Sequence, residues 1–525
     1  MANQILLFLV LALGCLINVT TGEETVEITI PDGTIRGQVN YTVRANATFY
    51  SFRGIPYAEP PVGNLRFANP VKNSAWSGVY NATYDRSECY QNADNYLGFT
   101  FAGQEDCLYI NVYTPDINAT GLPVLVWIHG GSFLLYNSSY AQFAPDFFLE
   151  QDLVFVSFNY RMGVFGFLST EDEACPGNWG IKDQLLALQW VQDNVAYFGG
   201  NPNNVTVSGE SAGSVSVHLL LQTNRTGLFQ RAIMCSGTSL NLWGLNTRAA
   251  ATATLLGVNL GIITTNTTKL VESLREKEVE ELYRVSWSSA VSLFVTDGLR
   301  GLPYAPVIEP DIEGAVFTKA SETALAEGNF QQVPILMGFN SEEAVSAGDL
   351  SYLIKLYLTY YDVAIANLAP WSLTQVATSR YLAGADVKYE YFQLESIVAD
   401  SEKLIKFVSA DQFNRPIRKA AALMSNYTSV YFYEFGYQGT VSADGEREYD
   451  GTGHAEDVSY YFVAASNYTT TDLKVSETMV LLWSNFAKYG NPTPEEDEKL
   501  NNTIWDPVDP TNSDFSYLSL NESIV

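Results

Sequence analysis

A chain of 525 residues with 47% apolar composition is long enough to bury a large core. Its 29 basic and 58 acidic residues leave a formal net charge of −29, which repels nucleic acid and anionic membrane surfaces and argues against both as partners. The same balance favours solubility and says little about a substrate.

Residues 1–22 read as a secretory signal. The apolar run 5–16 is too short to span a bilayer, and Thr20 and Gly22 suit cleavage before Glu23. The opening Met1-Ala2-Asn3-Gln4 departs from that pattern in carrying no Lys or Arg. Length alone suggests about three domains of roughly 150 residues, a soft prior; no repeat or low-complexity linker divides residues 23–525, and they are expected to form one domain. No membrane anchor is expected: later apolar runs are too short, and residues 519–525 form neither a lipid-anchor tail nor an ER-retention signal.

Two features agree with export. Sequons occur at Asn40, Asn46, Asn81, Asn118, Asn137, Asn224, Asn266, Asn426, Asn467, Asn501 and Asn521. Asn204 also qualifies but abuts a strand, and Asn18 would leave with the signal. Of the five cysteines, Cys15 would leave with the signal, and an even number would remain, as suits an oxidising compartment. Cys89 and Cys107 are the first-choice pair, close in sequence across a polar, turn-rich loop. Whether Cys175 and Cys235 pair or stay buried as thiols is left open.

Short apolar strands alternate with longer helical patterns, which predicts an α/β fold with a large, mostly parallel sheet flanked by helices. Candidate strands are 124–128, 153–158, 205–207, 232–234, 334–337 and 430–433. Several are apolar on both faces, as a covered sheet requires. Candidate helices are 181–196, stopped by Gly199-Gly200, and 472–488, with Asp472 as the expected N-cap. The stretches 247–295 and 349–383 read as helical insertions that can roof a pocket or simply form an outer layer.

Gly209-Glu210-Ser211-Ala212-Gly213 reads G-x-S-x-G, a tight strand-to-helix turn that projects one hydroxyl from the fold. The strand-like 205–207 precedes it and an apolar helical run, 214–221, follows. A serine hydroxyl needs a base, an orienter for the base, and donors for an oxyanion. The chain has three histidines. His218 stands about two helical turns, roughly 10 Å along the axis, from Ser211, too far to share a hydrogen bond. His129 precedes Gly130-Gly131 at a strand end and suits a role in organising that loop. His454, in the polar loop 450–457, is the expected base. The turn His129-Gly130-Gly131-Ser132-Phe133 and the amide of Ala212 are expected to supply the oxyanion donors. The acid belongs between serine and histidine in sequence. Strand 334–340 breaks into Ser341-Glu342-Glu343, and either glutamate fits.

Together these residues resemble the type-B carboxylesterase/cholinesterase family, and the secreted arthropod carboxylesterases within it. The similarity runs from about residue 24 to 510. It includes Phe52-Arg53-Gly54-Ile55-Pro56-Tyr57-Ala58-Glu59-Pro60-Pro61, Glu105-Asp106-Cys107-Leu108-Tyr109-Ile110-Asn111-Val112, Asn159-Tyr160-Arg161, Pro176-Gly177-Asn178, Phe198-Gly199-Gly200-Asn201-Pro202 and the elbow itself. The resemblance implies an α/β-hydrolase fold with helical insertions over the active site, and a serine esterase acting on small-molecule esters without metal or organic cofactor. It implies Ser211, Glu343 and His454 as the triad and Gly131, Ser132 and Ala212 as oxyanion donors. Ala344 departs from the family's usual glycine, and Ser132 stands where glycine or alanine is more usual. Trp243 matches the acyl-pocket tryptophan, and Glu210 borders the same pocket. The resemblance also implies the Cys89–Cys107 disulfide and the ion pairs Arg66–Glu105 and Arg161–Asp183. The Cys89–Cys107 loop holds no tryptophan, which argues against a choline ester specificity resting on cation–π attraction. Glu210, where juvenile-hormone esterases tend to carry glutamine, argues against that subclass. Two rival readings accompany the esterase: a catalytically silent adhesion or binding relative, and a slow esterase that sequesters ester-like xenobiotics.

Overall fold

In the computed structural model, the described residues are 24–93, 100–297, 301–345, 359–369, 377–441, 449–463, 468–512 and 515–524. The expected signal segment 1–22, residues 349–358 and 370–376 of the expected insertion 349–383, and Asn467 of its sequon lie outside them.

Alternation along the central strands sets the architecture. Val124, Val126 and Ile128 face one buried cluster, and Leu125 and Trp127 face another on the opposite side. Val156 and Phe155, Met234 and Ile233, and Met337 and Leu336 divide in the same way. Strands with apolar residues on both faces need cover on both, and helices supply it.

In chain order the strands are β1 Thr25–Ile30, β2 Gly33–Tyr41, β3 Thr48–Pro56, β4 Val79–Asn81, β5 Gln91–Asn92, β6 Phe101–Ala102 and β7 Tyr109–Thr114. They continue with β8 Leu122–Ile128, β9 Val154–Phe158, β10 Gly200–Glu210, β11 Arg231–Cys235, β12 Ile335–Asn340, β13 Val430–Phe435 and β14 Leu518–Leu520. The main sheet has 12 strands in the order β1-β2-β3-β7-β9-β8-β10-β11-β12-β13-β14, with β4 beside β2. From β9 to β14 every neighbouring pair is parallel. The β1-β2-β3-β7 edge is antiparallel, as is its junction with β9. The sheet is thus mixed, and its parallel half carries every strand expected from the sequence. β5 and β6 form a separate small hairpin.

The helix expected over 181–196 spans Trp179–Asn194 and finishes in a 3-10 turn, Val195–Phe198. Gly199, at φ 86°, ends it in a left-handed conformation that costs glycine little. The late helix runs Thr470–Tyr489, and its N-cap corrects the expectation. Thr469, not Asp472, is the cap: its side chain accepts from the Asp472 amide, and Asp472 reaches back to the Thr469 amide. This reciprocal pair is a capping box, in which the acid stands three residues inside the helix. The 247–295 stretch divides into helices Ala249–Asn259, Thr267–Arg275 and Val279–Asp297. Within 349–383 the described parts are two 3-10 turns and the start of a helix, Ala377–Phe392. Tyr361, Leu368, Phe392, Ile397, Leu404 and Phe407 give this region a small core of its own.

Cys89 and Cys107 form a disulfide, and Cys175 and Cys235 are buried free thiols. Arg66 pairs with Glu105 at 2.6 Å and Arg161 with Asp183 at 2.7 Å. Arg66 also donates to the carbonyls of Arg275 and Lys277, so it ties the disulfide loop to the end of the Thr267–Arg275 helix. No helix among the described residues is long and apolar enough to cross a membrane.

Candidate active site

Strand β10 ends at Glu210, and the helix Ala212–Gln222 begins one residue later. Ser211 alone makes the turn, at φ 55° and ψ −123°. A non-glycine residue in that region costs about 1–3 kcal/mol, which the surrounding structure must hold in place. Its amide donates to the Cys235 carbonyl at 2.9 Å, and its carbonyl accepts from Val215 at 2.9 Å. The flanking glycines are required by close approach. A Cβ on Gly209 would stand 2.5 Å from the Gly213 carbonyl carbon, and one on Gly213 would collide with the Ile128 carbonyl. Strand and helix therefore pack directly against the end of β8.

His454 reaches this turn from the loop after β13. Its Nε2 lies 2.7 Å from Ser211 Oγ, and its Nδ1 lies 2.7 Å from Glu343 Oε2. Glu343 follows β12, is buried, and accepts at Oε1 from the Asn340 amide at 2.7 Å. The His454 amide donates to the Glu343 carbonyl at 3.0 Å. Between the two glutamates left open by strand position, only Glu343 thus meets the imidazole. Glu342 instead lies against Gly451. Ser211 and Glu343 are 7% and 1% exposed, whereas the His454 side chain retains 26%. The imidazole is therefore the more solvent-accessible of the three groups, and the Glu343 carboxylate lies behind it.

The other two histidines are placed elsewhere. His129 stacks on Tyr160 with ring centroids 4.6 Å apart, and its carbonyl accepts from Tyr160 Oη. His218 accepts from the Ser239 amide at 2.9 Å. Burial pushes both imidazoles down, to about 4 and about 3, so they are neutral structural groups.

The Gly-Gly turn comes against the serine. A Cβ on Gly130 would stand 3.0 Å from Ser211 Cβ and 2.8 Å from Glu210 Oε2. Gly131, Ser132 and Phe133 follow with φ 96°, 56° and 59°, three successive residues in the left-handed region. Gly131 must be glycine, because a Cβ there would enter the Leu135 carbonyl. The far end of the turn is clamped by Gln91, which accepts from the Tyr136 amide at 2.6 Å and donates to its carbonyl at 3.0 Å. Gln91 lies in the disulfide-closed loop, so that loop supports the site.

Carboxylates crowd the imidazole. Glu210 Oε1 stands 3.2 Å from His454 Nε2. Burial pushes the Glu210 carboxyl up to about 8, opposed by His454 and reinforced by Asp457 and Glu343. Burial works against the His454 charge, but Glu210 and the Glu343 hydrogen bond outweigh it and raise the imidazole to about 9. Asp457, also buried, is pushed up to about 6 by burial and by Glu343. It accepts from Asn340 Nδ2 at 3.1 Å and from Tyr461 Oη at 3.3 Å. Asn340 Nδ2 also donates to the Gly453 carbonyl at 2.7 Å, so one side chain fixes the loop carrying His454 while its amide fixes Glu343.

Trp243 joins the site indirectly. Its ring lies 5.6 Å from Phe413, whose ring lies 4.8 Å from His454. Trp243 Nε1 and Asn241 Nδ2 both donate to the Gln412 carbonyl, at 3.1 and 2.7 Å. That carbonyl sits in a five-residue π-turn, Ala410–Asn414, which presents it and Phe413 to the site. Such π-turns are frequent at functional sites. Asn340, Asp457, Gln412 and Phe413 are site residues that sequence reasoning missed. Asp457 carried a weak signal, an acid three residues past the expected base; Phe413 carried none.

Residues 24–525 match the carboxylesterase family profile. The chain is a member of the carboxylesterase family. As a member of it, the chain is a carboxylic ester hydrolase with the α/β-hydrolase fold. It is 33% identical to esterase FE4 of Myzus persicae, over 97% of this chain and 92% of that one. It is 35% identical to liver carboxylesterase 1 of Oryctolagus cuniculus, over 85% and 82%, and 32% identical to juvenile hormone esterase of Tribolium castaneum, over 88% and 83%. Among solved structures, it is similar to juvenile hormone esterase from Manduca sexta with OTFP covalently attached. The TM-score is 0.84 at 29% identity, covering 95% of both chains. The family implies small-molecule ester substrates. Strands β8, β10 and β12 end at the edge of the sheet that carries Gly130, Ser211 and Glu343.

Proposed function

We propose that this carboxylesterase works through an acyl-enzyme on Ser211. Ser211 Oγ attacks the ester carbonyl while His454 Nε2 takes its proton, and Glu343 orients the imidazole and stabilises its charged form. The oxyanion rests on the amides of Gly131, Ser132 and Ala212; losing one such donor typically costs about 2.7–4 kcal/mol of transition-state stabilisation. His454 returns the proton to the departing alcohol, and water then cleaves the acyl-enzyme with the same base. Trp243, with Phe413, bounds the acyl side of the pocket, and Glu210 borders it beside the imidazole. The observation that carries this reading is the pair of 2.7 Å contacts through which His454 bridges Ser211 and Glu343. Replacing Ser211 by alanine tests it: turnover of a short acyl ester should vanish while the melting temperature holds. Turnover close to wild type in that variant would contradict the reading.

We further infer that the protein is exported. Residues 1–22 are the signal, residues 23–525 act as one domain, and glycans occupy exposed sequons such as Asn46, Asn81, Asn118 and Asn224. The Cys89–Cys107 disulfide supports an extracellular setting. The partner is a small ester, with no role for nucleic acid in a chain of net charge −29. Intact-mass analysis of the secreted protein, before and after endoglycosidase treatment, checks both cleavage before Glu23 and glycan occupancy.

A further inference from the structure

A concave site lies away from the serine. It has a volume of about 230 Å³, with an apolar lining from Leu185, Leu186 and Leu228, and with Lys182 and Arg225 among its polar groups. Arg225 follows the Ala212–Gln222 helix, and Leu228 precedes β11. The cavity therefore sits toward the edge where β10 and β11 begin, whereas Ser211 stands where β10 ends.

The two cations differ. Lys182 is 6% exposed, and its ammonium is committed to Glu309 at 2.5 Å and the Gly177 carbonyl at 3.0 Å. Arg225 is exposed. Among the described residues it is the only arginine with no hydrogen bond, ion pair or ring contact; Arg231 and Arg275, for example, both hold carbonyls. In a chain with 58 acidic and 29 basic residues, an arginine without a protein partner beside an apolar cavity leaves its guanidinium fork available to an anion.

We propose that this cavity binds a medium-chain monocarboxylate, with the tail on Leu185, Leu186 and Leu228 and the carboxylate on Arg225. The guanidinium fork matches a carboxylate bidentately. The apolar floor favours a tailed acid over an inorganic anion, which gains nothing from it. The net charge of −29 disfavours multiply charged ligands more than a monoanion. A volume of about 230 Å³ gives room for an acid with a tail of medium length. The site is separate from the ester chemistry proposed for Ser211 and does not depend on it.

Calorimetric titration of the full-length protein with octanoate, at fixed ionic strength, tests the proposal. One saturable site is expected. Arg225→Gln should weaken it by about tenfold or more, the loss of one charge-assisted pair. Octan-1-ol should bind about tenfold more weakly than octanoate, and Leu186→Glu should remove binding. Both variants should hydrolyse a short acyl ester at the wild-type rate, which shows that they are folded. Absence of saturable octanoate binding up to the order of 10 mM would overturn the proposal. So would binding undiminished in Arg225→Gln, or binding abolished by an organophosphate that blocks Ser211, which would place the acid in the ester pocket.

Discussion

Substituting Glu210 by glutamine probes the electrostatics of the site at its most crowded point. The imidazole works as a base only when neutral, so activity rises as pH passes through the His454 pKa. Glu210 Oε1 lies 3.2 Å from Nε2 and helps to hold that pKa near 9. A full charge pair at that distance, in an effective dielectric of about 20, interacts by about 5 kcal/mol, or roughly 4 pKa units. Two features reduce this. Glu210 is itself pushed up to about 8 and is only partly ionised near neutrality, and 26% of the His454 side chain meets solvent. The expected shift is therefore about 1–3 units downward. Glutamine keeps the size and removes the charge. The assay is kcat/KM for a short acyl ester across the pH range at constant ionic strength. The acid limb should move to lower pH in Glu210→Gln. A midpoint unchanged within about 0.3 unit, or moved upward, would refute the assigned coupling.

Two other substitutions test how the site is held. Asn340→Ala removes the bonds to the Gly453 carbonyl and to Asp457 while leaving the backbone amide on Glu343. At about 1.5–3 kcal/mol for a bond to a charged partner, kcat should fall about 10–100-fold with KM nearly unchanged, and a change in KM alone would contradict a positioning role. Replacing Cys89 and Cys107 by serine opens a loop spanning 18 residues, worth about 3 kcal/mol in the chain-entropy account, and should lower the urea midpoint; an unchanged midpoint would show that the loop is held without the bond.

The parallel half of the sheet was legible because its strands are apolar on both faces and stop at glycines or turn residues. Leu122–Ile128 and Val154–Phe158 are such runs. The antiparallel edge was not. Thr25–Ile30 and Gly33–Tyr41 mix polar with apolar residues and are stabilised by pairing with each other, a non-local property. Ser211 and His454 were legible for different reasons: one from a turn that only glycines permit, the other from the scarcity of histidine. Position alone left Glu342 and Glu343 equal, since both follow the same strand; the folded chain turns Glu343 toward His454. Asp472 was misread because an acid before a helical run satisfies either the cap or the third position. Thr469, three residues earlier, was the deciding neighbour. Phe413 was invisible, because a π-turn far along the chain, not a local motif, brings it to the imidazole.

Ser211 is the group proposed to become acylated. Labelling the purified protein with an organophosphate, then mapping the adduct by peptide mass spectrometry, identifies the acylated residue. One adduct per chain is expected, on Ser211, formed in step with loss of ester turnover and absent from Ser211→Ala. An adduct on another residue, or full loss of turnover with Ser211 unmodified, would contradict it.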